Sequence, residues 1–434
     1  MNKLHKQLLS YLNLFYIALS IIWVPLHIYI LKVDAAGRTI NIFTFIVLLA
    51  NFRNILVLFK DSRAVRVWSI LVFYSIINNL VKGYDFGDNT PFLFFAKNYY
   101  NPFMLLLVAA IEMRENKYRC LTVVAMAFLF YIFVDAPHIA MDLDGRLLSK
   151  TGNSLSLNCV VCLFVFSLFL VEEKIRWPLY IAVALVCAAI IIASGTRKAM
   201  GAAVIVFIGV VLSKFMKQTF WAYFLLLVSV VVLYWGVNYV MNNTVVGERF
   251  EYASELDVVD VRLVQNERIN DFFLFVLGDR AIQYEQALEV YHEHPVTGIG
   301  IDNFTTYYTP SLLRLHTEYM VQLCENGMVG FVLLMLFYTV LIVGLIRNWN
   351  KDNPQKTIIV LFGLFVVLFI NLTTWTYCQT YIMILYAIIV SYTIADRKET
   401  ETNYNQTNEN SSPSSREQFQ RTLDQLFPKA PDRI

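Results

Sequence analysis

The chain reads as a succession of apolar stretches, each about as long as a bilayer core is thick, joined by short polar connectors. A helix needs about 20 predominantly apolar residues to cross that core. On this criterion about twelve segments qualify: 8–31, 40–59, 67–81, 92–111, 121–141, 155–171, 178–193, 199–212, 220–241, 319–346, 358–374 and 381–395. The eighth is short and the second contains Arg53. The first run is long and lacks a small-residue cleavage site, so it is read as a span and not as a removed leader. The pattern predicts an all-α polytopic membrane protein.

Composition agrees. Hydrophobic residues make up 57% of the 434 positions and charged residues only 16%, where soluble domains average about a quarter charged. The net charge of +2 makes no case for nucleic acid. The cysteines lie in or beside apolar runs. Cys159 and Cys162 form a C-x-x-C inside a span with no second ligand pair, and they are read as small helix-packing residues, with no metal expected.

Where the charges fall sets the sidedness. One set of connectors holds thirteen lysines and arginines, among them Arg63, Arg114, Lys117, Lys174, Arg347 and Lys356; the alternate short connectors hold seven. Positive residues concentrate on the cytoplasmic side, so both termini are expected there. The chain then divides into a membrane domain of nine spans at 1–241, an extracytoplasmic loop at 242–315, three further spans at 316–396 and a cytoplasmic polar tail at 397–434. So long a loop is usually functional. The tail opens too polar to bury a core and is expected to be disordered, although Phe419, Leu423, Leu426 and Phe427 recur at helical spacing. No internal repeat stands out, which weighs against a transporter built from paired halves.

Candidate chemistry gathers on the outer side. Arg197 follows a sharp turn in "SGTRKAMG"; it reads either as a snorkelling interfacial arginine or as a bidentate partner for an anionic lipid phosphate. In "GDRAIQYEQALEVYHEHPVTGIGIDNF", Asp279 caps a helix of about three turns that Pro295 stops. Its apolar stripe is expected along Ala281, Tyr284, Leu288 and Tyr291. Arg280 sits at the helix start, the unfavourable end for a cation, which suggests a role other than helix stability.

In "HTEYMVQLCENGMVGF", His316 stands at the membrane boundary, and a helix from there inward puts Glu318, Gln322 and Glu325 on one stripe. Ionisable groups at such depth usually face a cavity. A lone histidine is more often structural, but with Arg197 and Arg280 on the same side His316 reads as a general base for a hydroxyl. Arg146 in "DLDGRLLSKTGNSLSLN" is a candidate further phosphate contact, and Lys97 in "AKNYYNPF" is a weaker candidate whose alternative is an internal ion pair. Asp142 and Asp144 form a D-x-D of the kind that binds metal–nucleotide, but nucleotide sugars are cytoplasmic and this loop is not.

Three local patterns in order carry a resemblance: "SGTR" at 194–197; "R-x-x-x-Y-x-x-A-L" with "HP-x-x-G-x-G-x-x-NF" from Arg280 to Phe304; and "H-x-E-Y-x-x-x-L-x-E-x-G-x-x-G" from His316 to Gly330. With "GRLLSKTGNSLS" and the span layout, the region from about 146 to 346 resembles the O-antigen ligase and polysaccharide polymerase superfamily. Thr317 departs from the His-Asn frequent in that family.

The resemblance implies a C-type glycosyltransferase fold and a metal-independent, cofactor-free enzyme of the bacterial inner membrane. Its donor would be a polyprenyl-pyrophosphate-linked oligosaccharide on the outer leaflet. By position, Arg197 and Arg280 would neutralise the pyrophosphate, His316 would activate or orient the acceptor hydroxyl, and Arg146, Glu318, Glu325 and Lys97 would line the substrate site. The acceptor stays open among a lipid-linked repeat unit (polymerase, for O-antigen, capsule or exopolysaccharide), lipid A core (ligase) and protein (O-oligosaccharyltransferase), with polymerase preferred. The lipid bilayer, a chain-length regulator and a flippase are the implied partners. A lipid-linked oligosaccharide transporter is the competing class.

Overall fold

The computed structural model describes residues 3–31, 36–82, 99–141, 147–148, 154–215, 281–307, 315, 317–349, 354–372, 374 and 379–394. Unbroken apolar sequence gives helices nearly throughout: α1 (Lys3–Pro25), α2 (Ala36–Asp61), α3 (Arg63–Lys82), α4 (Asn101–Glu115), α5 (Lys117–Asp135), α6 (Ser154–Val171), α7 (Trp177–Ala193) and α8 (Arg197–Phe215). After these come α9 (Ala281–Glu293), the single turn α10 (Phe304–Tyr307), α11 (Glu318–Glu325), α12 (Gly327–Arg347), α13 (Pro354–Asn371) and α14 (Thr380–Thr393).

Among the described residues, seven helical stretches are long and apolar enough to cross a membrane, and Trp177–Ala193 and Thr380–Thr393 are shorter apolar helices. This is a polytopic helical membrane protein. The expected ninth span, 220–241, the loop from 242 to 280 and the tail from 397 lie outside the described residues. One departure from all-α sequence reading is a two-residue antiparallel pair, β1 (Ala140–Met141) with β2 (Leu147–Leu148), after α5.

Apolar character all round a helix marks a buried one, and α6 fits: every residue from Leu155 to Val171 is buried. It packs against α5, α7, α8, α13 and α14. Helices α4 and α14 are buried in the same way, from Met104 to Met113 and from Tyr381 to Val390, and pack on each other. Around these, α2, α3 and α12 turn apolar side chains such as Phe52, Phe73 and Val332 outward, where only lipid suits them.

Connectors assigned to one side meet at one end of the bundle. Glu172, after α6, is buried and lies 3.3 Å from Lys356 and 3.9 Å from Lys117, and Tyr392 Oη donates to it at 3.3 Å. Connectors of the other set meet at the opposite end: Lys198 Nζ donates to Thr374 Oγ1 at 2.6 Å, and the Tyr29 and His138 rings stack with centroids 4.0 Å apart.

The tenth expected span, 319–346, requires correction. It is two helices, α11 and α12, separated at Asn326, with Gly327 at φ +66°. The physical reason is a second segment, 295–300, wedged into the break, as described next.

Candidate active site

A broken helix leaves carbonyls without donors at one side of the break and N–H groups without acceptors at the other. Here the loop after α9 satisfies both sets. Ile299 N donates to Cys324 O (3.2 Å) and Gly300 N to Glu325 O (2.7 Å), which closes the end of α11. Met328 N donates to Pro295 O (2.8 Å) and Val329 N to Val296 O (3.3 Å), which opens α12. The approach is so close that a Cβ on Gly327 would meet Val296 O at 2.3 Å, and one on Gly298 (φ +66°) would meet Cys324 O at 2.5 Å. The two glycine-bearing motifs singled out in the sequence are thus two halves of one backbone joint.

Beneath the joint, α9 packs on α11. Ala287 and Val290 of α9 bury against Val321, Cys324, Ile299, Phe304 and Leu315. The packed stripe of α9 is therefore Gln283, Tyr284, Ala287 and Val290, while Leu288 and Tyr291 stay partly exposed. This corrects the expected stripe by a rotation of about one residue, because small Ala287 lets the helices come close. Tyr284 Oη donates to Leu372 O (2.9 Å), and Tyr319 Oη of α11 donates to Leu368 O (3.1 Å), so both helices are pinned on the end of α13.

Helix α3 supplies the remaining wall. Asn78 Nδ2 donates to Thr297 O (2.8 Å), Glu325 O (3.2 Å) and Asn326 Oδ1 (3.4 Å). Asn79 Oδ1 accepts from Ile301 N, and its Nδ2 donates to Tyr99 Oη (3.0 Å). Tyr74 Oη donates to Asn326 O (2.9 Å), and Asn326 Nδ2 donates to Ser75 Oγ (3.0 Å) and Gln322 Oε1 (2.8 Å). None of these α3 residues was a sequence candidate. The available signal was polar: Ser75, Asn78 and Asn79 interrupt a run otherwise fit for lipid.

Of the sequence candidates, Arg197 opens α8, half-buried, with Ser194 and Thr196 shaping its turn (Ser194 Oγ to Thr196 Oγ1, 3.0 Å). Its neighbour Lys198 reaches Thr374, two residues beyond the Leu372 carbonyl that Tyr284 binds. The starts of α8 and α9 are thereby held at one end of the bundle, beside α11.

Glu318 and Glu325 do share the stripe expected of them, with Gln322 between, and all three are buried; Gln322 Nε2 donates to Glu318 Oε1 at 2.9 Å. Glu325 Oε2 accepts from Asp302 N at 2.8 Å. Burial holds the Glu325 carboxyl well above the usual carboxylate range, against the opposing pull of the Asp302 N–H. His316, Arg280, Arg146 and Lys97 lie outside the described residues. Their neighbours do not: Thr317 is the N-cap of α11, its Oγ1 accepting from Met320 N at 3.1 Å. Thr and Asn both cap helices well, so the departure from His-Asn keeps that local role.

No curated protein matches the chain. Residues 180–335 match a family model described as O-antigen ligase. That stretch contains most of α7, all of α8 to α11 and the start of α12, and so every described helix named above as carrying a candidate residue, together with the joint itself. Across residues 180–335 the chain is therefore similar to the O-antigen ligase family, which supports the resemblance to the O-antigen ligase and polymerase superfamily.

Proposed function

We propose that the protein is a glycosyltransferase of the bacterial inner membrane, with both termini cytoplasmic and its site on the extracytoplasmic face. It takes glycan from polyprenyl-pyrophosphate and adds it to a lipid-linked repeat unit, polymerising a surface polysaccharide. The observation that carries this reading is the convergence of the matched family segment on one end of the bundle. The start of α8 with Arg197, helix α9 next to Arg280 in sequence, and helix α11 next to His316 all belong to that end.

The chemistry follows from charge. Departure of pyrophosphate builds negative charge, which fixed guanidinium groups at Arg197 and Arg280 stabilise most where they need not reorganise. His316, as neutral imidazole, takes the proton of the acceptor hydroxyl. Glu318 and Glu325, buried as they are, serve this site by holding α11 and the 302–304 turn in place. Arg146 and Lys97 add contacts to the phosphate.

A strain lacking the protein, complemented with wild type or His316→Ala, tests the acceptor. Loss of the polysaccharide ladder with single repeats retained on the lipid supports the polymerase. Free lipid-linked long chains would instead identify a ligase, and loss of glycan from protein alone an O-oligosaccharyltransferase.

A further inference from the structure

Asparagines at the ends of membrane helices usually face water or a neighbouring helix. Asn78 and Asn79, on successive positions of α3, do something else. Between them they bind three separate segments, each downstream in sequence of a proposed site residue. Asn78 grips the 295–300 wedge through Thr297 O and the end of α11 through Glu325 O. Asn79 grips the next turn of the wedge through Ile301 N and the start of the α4 segment through Tyr99 Oη. Both side chains are buried. The wedge follows α9 and Arg280, α11 follows His316, and Tyr99 follows Lys97 by two positions.

We infer that Asn78 and Asn79 are positioning residues that fix the wedge after α9 and the end of α11 relative to each other for transfer, a role that rests on the function proposed above. Neither touches the reacting atoms. A misplacement of about 1 Å at a reacting group can lower a rate about 100-fold, and an amide pair that spans three segments is placed to prevent it.

The donor and acceptor roles make the inference specific. Asn79 accepts one N–H and meets one hydroxyl, so Asn79→Asp, neutral or ionised, keeps an acceptor for Ile301 N and a partner for Tyr99. Asn79→Leu keeps the volume and loses both. Asn78 faces three acceptor oxygens, so Asn78→Asp, left with at most one hydrogen, loses bonds and sets oxygen against oxygen. The same substitution at adjacent positions should have opposite consequences.

The test uses the full-length protein in nanodiscs. Hydrogen exchange is measured over the peptide containing 297–304, and transfer kinetics with a polyprenyl-pyrophosphate oligosaccharide are normalised to folded protein. The expected result is exchange at least about 10-fold faster in Asn79→Leu and Asn78→Asp, with kcat down about 10- to 100-fold, donor KM little changed, and Asn79→Asp near wild type. Unchanged exchange in Asn79→Leu would overturn the clamp, and unchanged kcat per folded enzyme would overturn its positioning role. If wild type itself transfers nothing, the function reading falls, and exchange alone decides whether the clamp exists.

Discussion

Gly327→Ala strikes the joint that organises the site. Gly327 sits at φ +66°, where an L side chain costs about 1–2 kcal/mol more than glycine. Its new Cβ would also stand 2.3 Å from Val296 O and 2.6 Å from Gly298 N. These are backbone atoms and cannot swing aside, so the wedge must retreat. That retreat weakens the bonds from Ile299, Gly300, Met328 and Val329, each worth about 1 kcal/mol net.

Loss of two to four of them with the conformational term gives about 3–6 kcal/mol. At about 1.4 kcal/mol per tenfold, the low end raises exchange of the Ile299 and Gly300 amides roughly 100-fold. If the loss is felt globally, Tm in detergent falls by about 3 °C or more. Val332→Ala, on the lipid-facing side of α12, serves as the control and should shift stability by less than about 0.5 kcal/mol. A Gly327→Ala protein with wild-type exchange over 297–303 and wild-type Tm would refute the wedge account of the helix break.

Thr317→Asn should retain stability and Thr317→Val should lose about 1 kcal/mol through the missing cap on Met320 N, read by thermal unfolding. Glu325 has a carboxyl raised in the folded state, so its contribution to stability is full below the unfolded value and is lost as pH rises through the folded one. Unfolding measured from pH 4 upward should therefore show a decline with pH that Glu325→Gln removes; an identical slope in the variant would contradict the burial argument. Glu172→Ala removes a buried carboxylate between two half-exposed lysines and should cost about 2 kcal/mol in chemical denaturation. Lys356→Ala should cost less, since Lys117 remains.

Much of the bundle was legible because lipid permits little else: apolar runs of bilayer length become helices, and the ends of nearly all described helices fall within a few residues of the runs. The tenth span was misread for a definite reason. Hydropathy sees 319–346 as nearly continuous, whereas the break at Asn326 depends on a wedge 30 residues upstream whose backbone completes it. The glycine spacings of both motifs were visible, but which backbone they bring together is a tertiary fact. The stripe on α9 slipped by about one residue because Leu288 and Tyr291 look more hydrophobic than Ala287, while close packing favours the smaller side chain. Asn78 and Asn79 carry no charge to mark them in the sequence, although their cost in lipid is itself a clue.

Arg197, Arg280 and His316 are proposed to form one site for transfer of glycan from a polyprenyl-pyrophosphate donor. The most direct measurement is elongation of that donor by purified protein in proteoliposomes, with chelator present, comparing wild type with Arg197→Ala, Arg280→Ala and His316→Ala. The expected result is longer lipid-linked product from wild type and a loss of about 100-fold or more in each variant. Wild-type rates in all three variants would contradict it.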